Sequence, residues 1–184
     1  MEWKTWLTET VGIKYPIIAG ALHRIGTSAL AGPFSDAGGL GNIVAGCFET
    51  PEELAADIKR AREMTDKPIA VNISLGGGCP NPAEMRDAAI EERVDCIFTS
   101  VYNAEEHGKV IKAAGIPWIH KIATMKHALA AQSQGADAVI IVGIEGVGQK
   151  NRYQNSTLVN MVMANRLLKI PFIAVATDLN TGDV

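Results

Sequence analysis

The stretch Ile116–Val142, IPWIHKIATMKHALAAQSQGADAVIIV, decides the fold class. It contains a short strand-like run at Trp118–Ile122, a helical pattern over Met125–Gln134 and a second apolar run at Ala138–Val142. Two such runs on either side of one helix are typical of a parallel βαβ unit. Gly135 stands where a helix C-terminal glycine belongs. The stretch therefore predicts two parallel strands joined by a right-handed helical crossover.

The same alternation of strand and helix extends over the rest of the chain. The predicted strands are Pro16–Ala19, Gly41–Ala45, Ile69–Ile73, Cys96–Ser100, Trp118–Ile122, Ala138–Val142 and Pro171–Ala176. The predicted helices are Thr27–Ala37, Pro51–Met64, Pro82–Glu92, Ala104–Ala114, Met125–Gln134 and Leu158–Leu168. No linker or shift of composition divides them, so residues 1–184 are predicted to form a single α/β domain, with Met1–Gly12 capping one end of its core.

Two architectures fit this alternation: an open doubly wound sheet and a (β/α)8 barrel of the TIM type. The chain has 184 residues. A (β/α)8 barrel usually takes about 250 residues, so length alone favours the open sheet. The motif content favours the barrel. No GxGxxG dinucleotide fingerprint follows a strand, and no GxxxxGK(S/T) motif is present, so an ordinary P-loop ATPase is not indicated.

Composition excludes several functional classes. With 17 basic against 20 acidic residues and 5% aromatics, nothing indicates a nucleic-acid partner. No apolar run approaches the roughly 20 residues of a membrane span, and no signal peptide is visible. Cys47, Cys79 and Cys96 lie far apart, so neither a disulfide framework nor a metal site is predicted. We therefore expect a reduced, cytoplasmic setting with no membrane partner.

In both architectures, function belongs to the C-terminal ends of the strands. The first predicted strand runs into Ala19-Gly20-Ala21-Leu22-His23, whose small residues would let a flat ligand approach the backbone. An ordinary tight turn would explain those small residues equally well. Because of its position after this strand, His23 is the leading acid–base candidate.

Two polar side chains interrupt apolar strands. The Asn72 amide needs partners for up to four hydrogen bonds, which neighbouring backbone or a bound heterocycle could supply. Desolvating the Lys121 ammonium costs several kcal/mol unless an anion compensates, so Lys121 indicates a site role. Such a cation could stabilise negative charge on a ring as it is reduced. His120 alternates to the other face and is predicted to be a core or interface residue, while His107 and His127 are predicted to be solvated.

The strand Ala138–Val142 is followed by a glycine-rich loop with Gly143, Gly146 and Gly148, and then by Gln149. Such a loop exposes its backbone to a ligand. Gln149 can donate or accept a hydrogen bond, but it cannot shuttle a proton near neutral pH.

Five segments resemble the nitronate monooxygenase family in the family's order. They are GIKYPIIAGAL (12–22), AGGLGNIVAG (37–46), TDKPIAVNISL (65–75), IPWIHK through VGQ (116–149) and LLKIPFIAVA (167–176). The resemblance covers about residues 9–176 and implies a (β/α)8 barrel that binds FMN, needs no metal and oxidises alkyl nitronates with dioxygen. The related enoyl-acyl-carrier-protein reductases share this barrel.

The resemblance also implies roles for single residues. The segment Ala19, Gly20, Ala21 and Leu22 would contact the isoalloxazine ring, and the other cofactor-binding positions would be Asn72, Lys121, Gly143 and Gly148. The family's catalytic histidine corresponds to Gln149, which leaves His23 as the second catalytic candidate. Because Gln149 is not a base, we expect weak turnover of neutral nitroalkanes and better turnover of preformed nitronates.

At its C-terminal end the chain departs further from the family. Where the family has two glycines for the FMN phosphate, this sequence has Ala176-Thr177 or Thr177-Asp178. The seventh predicted strand is the last, so the barrel is predicted to be truncated and to associate as a homo-oligomer or with a partner chain. Two alternatives remain: an enoyl-reductase-like flavoenzyme that takes hydride from a nicotinamide, or a non-catalytic relative that serves as a subunit or scaffold.

Overall fold

Helices and strands alternate along the residues that this computed structural model describes, namely 2–101, 103–146 and 155–175. The strands are β1 (Gly41–Val44), β2 (Ile69–Ser74), β3 (Cys96–Ser100), β4 (Trp118–Ile122), β5 (Ala138–Val142) and β6 (Phe172–Val175). The helices are α1 (Trp6–Val11), α2 (Ser28–Asp36), α3 (Pro51–Met64), α4 (Pro82–Glu91), α5 (Glu105–Ala113), α6 (Met125–Ser133) and α7 (Thr157–Leu167). A short 3₁₀ turn, Ala45–Cys47, follows β1.

The six strands form one sheet in the order β1-β2-β3-β4-β5-β6, and every neighbouring pair is parallel. Sequential neighbours of this kind belong to the wall of a (β/α)8 barrel, whereas an open doubly wound sheet reverses its strand order. The predicted barrel architecture is therefore confirmed, and the open sheet that length favoured is wrong.

The first predicted strand, Pro16–Ala19, is largely wrong, because a single bridge between Ile18 and Leu40 replaces it. Two backbone bonds form this bridge: Leu40 N–H donates to Ile17 O at 2.9 Å, and Ala19 N–H donates to Leu40 O at 3.0 Å. The next bond backwards would run from Ile17 N–H to Gly38 O, but Ile17 N–H donates to Tyr15 O at 2.7 Å and Gly38 O accepts from Tyr15 N–H at 2.9 Å. After Ala19 the chain continues into the loop that begins at Gly20, so the strand predicted from the apolar residues does not form.

The two faces of the sheet carry separate apolar clusters. Side chains that point toward the helices form the larger cluster, which includes Ile43, Ile97 and Trp118. The opposite, interior face carries a smaller cluster, whose members from the strands or next to them are Leu40, Ala70, Cys96, Phe98, Ile119 and Ala138. Leu7 and Val11 of α1 and the nearby Ile13 belong to the same interior cluster. The N-terminal segment thus caps one end of the core, as predicted.

Two aspartates hold the N-terminal ends of neighbouring strands in the same way. Asp95, directly before β3, accepts a hydrogen bond from Ile69 N–H at 2.8 Å and pairs with Arg62 at 2.7 Å. Asp137, directly before β5, accepts from Trp118 N–H at 2.9 Å and pairs with a lysine of α5. Each carboxylate satisfies the first N–H of the preceding strand, so this edge of the sheet is built for stability.

Candidate functional site

The candidate site lies on the interior face, toward the C-terminal ends of the strands. Side chains two residues apart on a strand share a face. Asn72 therefore follows Ala70, and Lys121 follows Ile119, one layer above the apolar cluster that α1 covers. The structure thus brings Asn72 and Lys121, both predicted from the sequence, to the same face of the barrel wall.

The surroundings of these two side chains suit a ligand. Asn72 is only 4% exposed, and its side-chain amide lies on the same interior face as Lys121. An amide side chain offers both a donor and an acceptor to a bound polar group. Lys121 is half-buried, and this burial lowers the pKa of its ammonium. Desolvation of this kind favours a bound group that carries negative charge.

Ser100 is a further polar residue of this layer, and sequence reasoning missed it. It shares the interior face with Phe98, is 9% exposed, and stands opposite Lys121 in the β3–β4 register. The next residue, Val101, has φ 68°, a left-handed conformation that a β-branched side chain rarely adopts. Backbone strain of about 1–3 kcal/mol is tolerated mainly at functional sites. The signal available in the sequence was a hydroxyl at the C-terminal end of a predicted strand.

The predicted loop Ala19–His23 follows the Ile18 bridge and runs beside β1. Ala19 is buried, whereas Gly20 through His23 are exposed. A Cβ built on Gly20 would meet no atom within 4 Å, so the space beside this backbone is open. The loop returns to the sheet at Gly26, whose carbonyl accepts from Val44 N–H at 2.7 Å. This open, accessible backbone is what contact with a flat ring requires.

The rim beside this loop is closely packed. A Cβ built on Gly46 would lie 1.8 Å from the carbonyl oxygen of Gly78 and 3.4 Å from Cε1 of His23. Only glycine at position 46 lets the connections after β1 and β2 meet this closely. His23 is thus exposed to solvent and lies beside Gly46, on the rim where these two connections meet.

The connection after β5 is fixed by Glu145, which sequence reasoning also missed. Its carboxylate accepts from the backbone N–H of Thr157 at 2.8 Å and from the Thr157 hydroxyl at 2.9 Å. A Cβ on Gly143 would collide with both partners at 2.3–2.4 Å, so glycine is required there. The remaining predicted positions, Gly148 and Gln149, lie outside the described residues, as do Ala176, Thr177 and Asp178.

The other histidines divide as follows. His120 is buried on the helix-facing side, where Nδ1 lies 2.8 Å from the Thr99 hydroxyl, so its prediction as a core residue is confirmed. The prediction of a solvated His107 is wrong. It is half-buried, its Nδ1 has no partner among the described residues, and burial, followed by the charge of Arg86, lowers its pKa. His127 is exposed on α6, as predicted.

The described ranges contain no cluster of three or more histidine, cysteine, aspartate or glutamate side chains that could hold a metal ion. None of the helices within these ranges is long and apolar enough to cross a membrane.

Comparison with known proteins identifies related sequences. The family described as nitronate monooxygenase matches residues 4–177. An octahydro-indene-carboxyl-CoA dehydrogenase of Rhodococcus jostii is 33% identical over 93% of this chain and 47% of its own length. A probable nitronate monooxygenase of Staphylococcus aureus is 24% identical over 82% of this chain and 52% of its own length. The chain spans about half the length of the curated relatives it matches.

Solved structures resemble the fold closely. FabK from Thermotoga maritima superposes with a TM-score of 0.87 at 33% identity, covering 94% of this chain and 54% of the FabK chain. A nitroalkane oxidase from Streptomyces ansochromogenes superposes with a TM-score of 0.79 at 21% identity, covering 91% of this chain and 60% of the oxidase chain.

Proposed function

This chain belongs to the nitronate monooxygenase family, and on that premise we propose that it is an FMN-dependent oxidoreductase that oxidises small alkyl nitronates with dioxygen. The observation that carries the proposal is the polar layer on the interior face. There, the buried Asn72 and the half-buried Lys121 share one face of the barrel wall. A nitronate is an anion, and so is a reduced flavin ring at neutral pH. A desolvated ammonium stabilises either of them.

The residues of this layer fit a flavin. The polar edge of the isoalloxazine ring offers carbonyl acceptors and an imide N–H, and an asparagine amide can pair with both kinds of group. The ring itself needs a backbone surface without projecting side chains, which Gly20 and Ala21 offer. When bound, FMN supplies the electron acceptor for the nitronate and the electron donor for dioxygen.

The side chains of the chain then have distinct tasks. Asn72 would bind and orient the ring, and Lys121 would hold an ammonium where negative charge develops. Gly143, fixed by the Glu145–Thr157 contact, would shape the far side of the site. We also propose that the protein works in the cytoplasm and that Gln149 occupies the catalytic position.

The nature of residue 149 determines which substrate form is oxidised. Without a base at that position, abstraction of the α-proton from a neutral nitroalkane should be slow, by about 10²–10⁴ relative to a site with a positioned base. A preformed nitronate needs no such step. His23, exposed on the rim beside Gly46, is the remaining residue that could hold or move this proton.

Absorbance and kinetics test the proposal. Purified protein mixed with FMN should retain a flavin spectrum and oxidise propyl-2-nitronate faster than 2-nitropropane. Lys121→Met should weaken FMN retention and slow oxidation. Lys126→Met is the matched control, because Lys126 is an exposed lysine of α6 away from the interior face. Protein that retains no flavin, or equal effects of both substitutions, would refute the proposal. Equally fast oxidation of both substrate forms would refute only the part assigned to Gln149.

A second function is favoured by the comparisons. The two relatives named as carboxyl-CoA dehydrogenases are 33% and 31% identical, whereas the probable nitronate monooxygenase of Staphylococcus aureus is 24% identical. The alternative is therefore a flavoenzyme that exchanges hydride between a nicotinamide and an acyl thioester, as an enoyl reductase does. Bleaching of the flavin by NADH or NADPH under anaerobic conditions, without other substrate, would favour this second function.

The third alternative is a non-catalytic relative. Such a protein would be colourless once unbound FMN is removed, and it would act as a subunit or scaffold.

Association is part of the proposal for all three functions. Within the described residues, β6 has no further strand on its outer edge, and an open strand edge is a template for pairing with another chain. Sedimentation at micromolar concentration should detect a homo-oligomer, and a cooperative monomer would contradict this part.

A further inference from the structure

Asn42 is a buried polar residue of β1 that the proposed function does not use. It is 2% exposed and lies on the interior face, between Leu40 below it and Val44 above it on the same strand. Its Nδ2 donates to the carbonyl oxygen of Ala19 at 3.2 Å. Its Oδ1 is buried and has no hydrogen-bond partner within the described parts of the chain.

The bond to Ala19 replaces a missing rung of the sheet. The backbone ladder between the first segment and β1 consists of the two bonds of the Ile18–Leu40 bridge. In a regular parallel ladder, the next bond would run from the backbone N–H of Asn42 to Ala19 O. Among the described backbone bonds this rung is absent, and the Asn42 side chain makes the contact to the same carbonyl instead.

The location of this bond gives it a consequence for ligand binding. Ala19 is the last buried residue before the exposed loop Gly20–His23, and the next backbone bond to the sheet comes only at Gly26. Together with the backbone bond from Ala19 N–H to Leu40 O, the Asn42 amide fixes where the loop leaves the barrel wall, and it alone holds the Ala19 carbonyl among the described contacts. Its unpaired oxygen is a buried acceptor beside the same loop, available to a donor that arrives with a ligand.

We propose that Asn42 is a positioning residue that anchors the ring-facing loop Gly20–Leu22 and thereby sets the affinity for the flavin. The anchoring itself follows from the contacts of Asn42. The effect on flavin rests on the proposed function.

The anchoring can be measured without any cofactor. Arg24 is exposed and directly follows the loop Gly20–His23, so trypsin cleavage after Arg24 reports how often this loop detaches. Asn42→Leu keeps a similar volume and removes the donor, and Asn42→Asp keeps the shape and removes the same donor. Loss of one such hydrogen bond should raise cleavage at Arg24 about fivefold in each variant.

The matched control is Asn160→Leu. Asn160 is 1% exposed, and its Nδ2 donates to Val142 O at 3.1 Å, so the same kind of bond is lost on the other side of the sheet. A purely structural effect would lower the urea midpoint in all variants and raise cleavage at Arg24 in all of them equally. Anchoring predicts faster cleavage at Arg24 in the two Asn42 variants alone.

Flavin binding forms the second arm of the test. FMN titrated into the purified protein and followed by fluorescence quenching should bind the Asn42 variants about fivefold more weakly than the unchanged protein. If cleavage at Arg24 stays within twofold of the unchanged protein in both Asn42 variants, the inference is overturned. If cleavage rises but the affinity for FMN does not change, the link from loop to ligand is wrong. If the unchanged protein binds no FMN, the proposed function fails while the anchoring stands.

Discussion

Asp57→Ala should lower the free energy of unfolding by more than the loss of any single hydrogen bond on the protein surface would. Asp57 belongs to α3 and is 3% exposed, and its carboxylate reaches the N-terminus of α2. One oxygen accepts from Ser28 N–H at 2.6 Å and the other from the Ser28 hydroxyl at 2.7 Å. Thr27, the N-cap residue of α2, makes no side-chain capping bond of its own, so the carboxylate of another helix does the capping.

The size of the effect follows from these contacts. Hydrogen bonds to a charged group contribute about 1.5–3 kcal/mol each, and an N-cap is typically worth about 1 kcal/mol. After the substitution the Ser28 hydroxyl can turn toward another acceptor, but its buried N–H cannot. We therefore expect a loss of about 3 kcal/mol in the free energy of unfolding. At roughly 2–4 °C per kcal/mol for a chain of this size, Tm should fall by about 6–12 °C.

Urea unfolding at pH 7, followed by circular dichroism at 222 nm, measures this loss. Asp66→Ala is the matched control, because Asp66 is an exposed aspartate that pairs with the neighbouring, half-exposed Lys67. The control should change stability by less than about 0.5 kcal/mol. Ser28→Ala and the double variant complete a cycle in which the two effects should not add. A loss below about 1 kcal/mol for Asp57→Ala, or simple additivity with Ser28→Ala, would refute the capping argument.

Three further predictions follow from the described contacts. Burial lowers the pKa of Lys121 below 10.5, so near that pH the folded state binds fewer protons at Lys121 than the unfolded state does. The unchanged protein should therefore be less stable than Lys121→Met at neutral pH. This difference in the free energy of unfolding, measured by urea titration, should shrink as pH rises toward 10.5. Asp95→Asn and Asp137→Asn should each lower the free energy of unfolding by about 1–3 kcal/mol and leave FMN affinity unchanged in fluorescence titrations, because both act at the opposite ends of the strands. Burial raises the pKa of the Cys79 thiol to about 11, so at pH 8 iodoacetamide should label the half-exposed Cys47 of the folded protein and reach Cys79 only on unfolding, as peptide mass spectrometry would show.

Helix α3 could be predicted to the residue, because its signals are local. The Thr50 hydroxyl accepts from the backbone N–H of Glu53 at 3.3 Å, and Pro51 occupies the first turn, where its missing N–H costs nothing. The strands β2 to β5 could likewise be predicted within a residue, since short β-branched runs flanked by capped helices leave few alternatives. Parallel order followed from the helix between each pair of strands.

The first segment could not be predicted, because its fate depends on a partner strand. Ile17 and Ile18 look like half of a buried strand, yet Ile17 is 57% exposed. Pairing with β1 is limited to one bridge, and a side chain completes the contact that backbone would otherwise make. The four residues Pro16–Ala19 show no sequence pattern that would tell a continuous strand pairing from a single bridge.

The candidate site was predictable where one polar side chain interrupts an apolar run, as at Asn72 and Lys121. Asn42 interrupts a run in the same way and was missed, because the glycines before it read as close helix packing. Glu145 could not be found from sequence, because its role arises from Thr157, a contact twelve residues away that only the folded chain creates.

The interior of the barrel wall explains why these residues can be polar without loss of the fold. Along β2, Ala70 packs in the cluster that α1 covers, and Asn72 stands one layer above it. The apolar side chains of the lower layer are buried and stabilise the fold. The upper layer can therefore carry polar side chains without loss of that stabilisation. On the neighbouring strand β1, Asn42 stands opposite Ala70, one layer below Asn72, and its Oδ1 is a buried acceptor without a partner among the described residues. The polar positions on the interior face therefore begin one layer lower on β1 than on β2. The bond from Asn42 to the Ala19 carbonyl, which anchors the exposed loop, lies at this lower level of the sheet.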